Sequence, residues 1–114
     1  MGLGERIAAK RNNARKVVEV KEWGEDDSPL LMYISSLTCA DLDKLQRKHK
    51  DFLTNPTING MVDMIILKAE DREGQKLFTL EDKPFLMREE LNTVSRIAGE
   101  MFSTVIPVGE QGND

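Results

Sequence analysis

The chain has 114 residues, of which 39% are hydrophobic and 32% charged, with a net charge of −4. That length suits one domain with an adequate core, and no apolar run approaches the roughly 20 residues needed to span a bilayer. One Cys and one His exclude an internal disulfide and a Cys- or His-rich zinc site made by one chain; with no apolar N-terminal core of the signal-peptide kind, a reducing cytoplasm is expected.

Residues 1–16 carry Arg6, Lys10, Arg11, Arg15 and Lys16 against Glu5, a local charge of +4 that leaves −8 on the remainder. Residues 1–15 are therefore expected to form a basic flexible arm ahead of an acidic body. Leu3, Ile7, Ala8 and Arg11 have helical spacing, but Gly2, Gly4 and two adjacent Asn residues dilute it, so any helix here is short and frays. The arm has no aromatic residue for base stacking and the body repels phosphate, which argues against nucleic acid as a partner.

Residues 16–23 are rich in β-branched side chains, with Val18, Val20 and Glu22 on one face and Val17, Glu19, Lys21 and Trp23 on the other. A polar turn over 24–29 leads to a second apolar run at 30–35, which predicts a β-hairpin within 16–37. Thr38-Cys39-Ala40-Asp41 has capping-box spacing, with Leu37 placed to staple onto Leu42. The helix it opens has Leu42, Leu45, His49, Phe52 and Leu53 on one stripe and ends at Thr54-Asn55-Pro56. His49 is expected as a partly buried structural histidine, and Cys39, ten residues away on the same helix, lies too far along the axis to form a dyad with it.

A second helix from Thr57 or Asn59 through Asp71 is apolar around most of its circumference and is expected to be central. Its Ile65-Ile66 pair leaves a buried strand as the alternative. Residues 71–82 read as a helix end, a turn closed by Gly74 and a new helix start. As a calcium loop with Gly74 sixth, that stretch would place Ala69 and Leu80 at ligand positions, so a solvated turn is expected instead. Thr79-Leu80-Glu81-Asp82 again has capping-box spacing, and Pro84 sits in the first turn of a short helix containing Leu80, Phe85, Leu86 and Met87. The last helix carries Leu91, Val94, Ile97, Ala98, Met101, Phe102 and Val105 as its core stripe and stops at Pro107, leaving 107–114 as a disordered tail. The fold class is α+β, mainly α: an N-terminal hairpin followed by a bundle of about four helices, forming a single globular domain over 16–106.

The acidic residues fall at turns and helix ends, and no phosphate-loop, dinucleotide or nucleophile-elbow pattern occurs. Nothing indicates an enzyme, a cofactor or a metal. The order of Glu22-Trp23-Gly24, Leu37-Thr38 before a charged helix, and Leu77-Phe78-Thr79-x-Glu81-Asp82 before Val94-Ser95-Arg96-Ile97-Ala98 resembles the tail assembly chaperones of long-tailed (siphovirus-type) phages and prophages, over roughly residues 16–106. The chain departs from that pattern in its longer 25–29 turn and its basic start. The resemblance implies a non-enzymatic protein of the host bacterial cytoplasm, absent from the mature virion. Such a protein binds and solubilises the tape measure protein, helps recruit the tail tube protein, and self-associates as a homo-oligomer; many are also made in a longer frameshifted form. No catalytic residues are carried over. From pattern, Leu77, Phe78, Phe85, Met87, Met61 and Met64 are expected to meet the client, and Val18, Val20, Trp23 and Met32 to join copies. A structural tail tube or head-tail connector component and a basic-arm nucleic-acid binder are the alternatives.

Overall fold

The computed structural model describes residues 2–12 and 15–104. It shows the expected α+β architecture, an antiparallel hairpin followed by a mainly helical body, with one helix ahead of the hairpin. That first helix, α1 (Leu3–Asn12), leaves Leu3 and Ile7 exposed. The basic start is not uniform in its surroundings. The Arg15 guanidinium donates to the carbonyls of Asp71 and Arg72 at 3.1 and 2.8 Å and stacks 4.9 Å from the Tyr33 ring centroid, while Lys16 donates to Ser103 Oγ at 2.9 Å and pairs with Glu100.

The hairpin is formed by β1 (Lys16–Glu25) and β2 (Ser28–Ile34), in the register Val18↔Met32 and Val20↔Leu30. Both strands run further than the sequence predicts, so the polar turn shrinks to Asp26-Asp27, where Asp26 adopts φ 51°. Gly24 is required because a Cβ there would lie 2.0 Å from the Ser28 carbonyl oxygen. Between Val20 and Glu25 the register shifts. Strict alternation sets Trp23 opposite Val18 and Val20, but the irregularity changes the parity, and Trp23 packs against the same core. Glu22 does not join Val18 and Val20 inside. It is exposed and forms a bidentate pair with Arg96 at 2.8 and 3.0 Å, and the Arg96 guanidinium, helped by backbone hydrogen bonding, lowers its pKa to about 2.

Helix α2 (Cys39–Lys48) begins in a complete capping box: Thr38 Oγ1 accepts from Asp41 N–H, and Asp41 Oδ2 accepts from Thr38 N–H. Lys68 joins the same carboxylate at 2.7 Å. Burial alone would raise the Asp41 pKa, but Lys68 and the Thr38 N–H outweigh it and hold the carboxyl below its usual range. Thr38→Ala removes one of these capping bonds and is expected to lower stability by about 1 kcal/mol, read as a lower urea midpoint at unchanged slope.

The helix ends at Lys48, well before Pro56. His49 turns to extended backbone (φ −130°, ψ 95°) and Asp51 adopts φ 58°, so Phe52 leaves the helical stripe and drops fully into the core while Leu53 stays exposed. The central helix α3 (Ile58–Lys68) is capped by Thr57, whose side chain accepts from Gly60 N–H. It packs against α2, α4 and α5, burying Val62, Met64, Ile65 and Ile66. The strand alternative for this segment does not hold.

Beyond Ala69 the chain does not pass straight from helix to turn to helix. Glu70 exchanges both backbone hydrogen bonds with Tyr33 of β2, and Ala69 accepts from Leu77. A tight turn thus extends the sheet edge, closed by Gly74 at φ 86° and by Asp71 Oδ1, which accepts from the N–H groups of Glu73 and Gln75. A second capping box at Thr79 and Asp82 starts a 3₁₀ turn (Leu80–Asp82) that runs into α4 (Lys83–Leu86). Helix α5 (Leu91–Phe102) closes the core with Val94, Ile97, Ala98 and Met101; Leu91 is exposed rather than part of the stripe. Val105, Pro107 and the 107–114 tail lie outside the described residues. Among the described residues, no helix is long and apolar enough to cross a membrane.

Candidate functional site

The segment from Leu77 to Met87 changes character along its length. Leu77 and Phe78 are half-buried and packed on the core, so most of the apolar surface at that turn is covered by the chain itself. The Phe78 ring meets Trp23 edge to face, with centroids 5.9 Å apart, and Trp23 Nε1 donates to Glu89 at 2.8 Å. Further on, Leu80, Phe85 and Met87 are 67%, 68% and 44% exposed. Local chemistry accounts for this. The Thr79 cap and the Pro84 turn hold a short rigid corner whose inward residue is Leu86, which leaves its neighbours outside.

Phe78 forms a partition between two open grooves. The larger, about 370 Å³, has an apolar floor of Leu45, Ile66, Leu67, Phe78 and Leu80 and a rim containing Lys44, Lys48 and Lys76. The smaller, about 230 Å³, lies among Trp23, Leu30, Phe78, Phe85, Leu86 and Glu89. Lys76 is anchored by donating to the Leu67 carbonyl at the C-terminal end of α3, an orphan acceptor at the negative end of the helix.

Asp63, one turn before Leu67, is buried beside the larger groove. Its Oδ2 lies 2.6 Å from His49 Nε2 and 3.2 Å from Lys48, and its Oδ1 lies 2.9 Å from Lys83, outside good hydrogen-bond alignment. With the carboxylate ionised, His49 Nε2 is the donor. Burial acts to raise the Asp63 pKa, but the His49 hydrogen bond and the nearby Lys83 and Lys48 ammonium groups outweigh it and hold the carboxyl below its usual range. The resulting cluster ties α2, α3 and α4 together.

Comparisons of the chain with protein-family models, with curated proteins and with solved structures gave no match. The site therefore rests on its geometry.

Of the residues expected to meet a client, Phe85 and Met87 are exposed, Phe78 and Leu77 contribute partly covered surface, and Met61 is half-buried against the core. Met64 is fully buried at the centre of α3 and presents nothing to a partner. Val18, Val20 and Met32, expected to join copies, also lie inside, because the hairpin turns that face onto the core, with β1 against α5. Strand parity then puts Val17 and Leu31 on the outer face, 47% and 42% exposed. Trp23 is held by Phe78 and Glu89 and is only half-buried.

Leu80, the lysine rim and the Asp63 cluster were missed from sequence. Asp63 did carry a signal: a carboxylate between Val62 and Met64, in a helix apolar all round, must be paired wherever it is buried.

Proposed function

We propose that the chain is a phage tail assembly chaperone that binds and solubilises the helical tape measure protein and helps recruit tail tube subunits in the host bacterial cytoplasm. The observation that carries this reading is the rigid corner presenting Leu80, Phe85 and Met87 to solvent beside two apolar grooves. A surface of this kind takes the apolar face of an amphipathic client helix. Met87 adds an adaptable thioether suited to clients of varied sequence. Self-association is attributed to the outer hairpin face at Val17 and Leu31 and to the outer edge of β1, which has no strand beside it among the described residues.

Phe85→Asp is the test. Because the side chain is exposed, the variant should retain its stability to within about 0.5 kcal/mol, yet lose the ability to keep a co-expressed tape measure fragment in the soluble fraction. A folded variant that still solubilises the fragment refutes the assignment. Mass spectrometry of purified virions addresses the role itself, since a chaperone is absent from them and a tail tube or connector component is present.

A further inference from the structure

We propose that the larger groove selects an acidic amphipathic helix, one whose apolar stripe is flanked by Asp or Glu. The proposal rests on the chaperone reading only in taking the client to be helical. Its floor offers Leu45, Ile66, Leu67, Phe78 and Leu80 to an apolar stripe. Lys44 and Lys48 stand one turn apart on α2, and Lys76 lines the groove from the turn after α3, its ammonium on the Leu67 carbonyl. Lys44 suits a carboxylate beside the stripe, while Lys48, 56% exposed beside Asp63, and Lys76, held at the C-terminal end of α3, add positive charge along the same rim.

The lining residues carry three lysines against one carboxylate, a net of +2, on a chain whose net charge is −4. Asp63 does not repel an incoming carboxylate, because His49, Lys48 and Lys83 already surround it. Lys44 is exposed and has no carboxylate within 4.0 Å among the described residues. It is thus available to a partner without breaking an existing pair. The same charge disfavours α1 of a second copy as the occupant, since that helix carries Arg6, Lys10 and Arg11 against Glu5.

The test uses the full chain and two labelled helical peptides of about 18 residues, sharing a Leu stripe and flanked by Glu in one and Lys in the other. In fluorescence anisotropy at low salt, the Glu-flanked peptide should bind at least about tenfold more tightly, with the gap narrowing as salt rises. Lys44→Glu should weaken the Glu-flanked peptide about threefold or more and strengthen the Lys-flanked one. Leu80→Ser should weaken both. Equal binding of the two peptides, preference for the Lys-flanked one, indifference to both substitutions, or binding of dodecanoate but of neither peptide each overturns the proposal. If the wild-type chain keeps a tape measure fragment soluble while neither peptide binds, the groove assignment falls and the chaperone reading stands. If the Glu-flanked peptide binds by this pattern and the fragment still precipitates, the groove assignment stands and the chaperone reading falls.

Discussion

Phe52→Ala is expected to lower the unfolding free energy by about 3–5 kcal/mol, the largest effect of any substitution considered for this chain. The ring is fully buried, lies 5.6 Å from the ring of Phe102 at the end of α5, and approaches to 3.0 Å of where a Cβ on Gly60 would sit. It therefore fills the junction of the 49–56 connection, α3 and α5. The backbone around it has little freedom to collapse into the vacancy, because Asp51 is already in the left-handed region and Thr57 caps α3. Urea denaturation checks this through a large drop in midpoint at constant slope. A drop of less than about 1 kcal/mol would mean that Phe52 is not the keystone of that junction. Phe85→Ala, on the exposed corner, serves as the control that should change stability little.

The second large effect is expected at Asp63. Asp63→Ala removes the carboxylate that holds His49, Lys48 and Lys83, and is expected to cost about 2–4 kcal/mol. This is below the upper range for breaking a buried pair, because the Lys48 side chain is 56% exposed and can return to water. Asp63→Asn, which keeps the shape and loses the charge, should cost roughly half as much, and Lys48→Ala less than about 1 kcal/mol.

The pH dependence has a definite sign. Asp63 and Asp41 both have folded-state pKa values below the ordinary value. Below about pH 4, the unfolded carboxylates therefore take up protons before the folded ones, and stability rises with pH through that range. The contribution is fully present above about pH 4 and is lost as pH falls through the lowered folded values. Wild-type stability should decline on acidification below that point, and the decline should be shallower in Asp63→Ala, which keeps the lowered carboxyls of Asp41 and Glu22 but loses that of Asp63. An equally steep acid decline in the two proteins would show that the Asp63 cluster does not couple to folding. High salt should weaken the Glu22–Arg96 contribution more than that of Asp63, because the former pair is solvent-exposed and the latter is not.

Much of the local architecture could be read from short-range pattern. The capping boxes at Thr38 and Thr79, the glycine-closed turn at Gly74, the apolar α3 and the buried stripe of α5 all depend on residues within four positions of one another. Their spacing alone specifies which hydrogen bonds and faces are available. Phe85 and Met87 were likewise legible as apolar residues in a short capped helix, together with Leu86, which the fold buries. In each case the physics is carried by neighbours along the chain.

Other features required the assembled molecule. Trp23 lies on the core side because a register irregularity in β1 changes strand parity, and its partners Phe78 and Glu89 are more than fifty residues away. Helix α2 stops at Lys48, and His49 sits against Asp63 of α3, an attraction that no pattern within α2 records. Arg15 meets the carbonyls of Asp71 and Arg72 in a distant segment, although composition alone places it in a basic arm. The sequence by itself determined the hairpin, the main helices, the capping boxes at Thr38 and Thr79 and the apolar supply for a core, since these follow from backbone hydrogen bonding and side-chain periodicity. Only the tertiary structure decided which apolar residues stayed outside at Leu80, Phe85 and Met87, and that lysines and a buried carboxylate border the groove beside them. Burial and charge pairing depend on which surfaces meet across the fold, and that is not a local property of the chain.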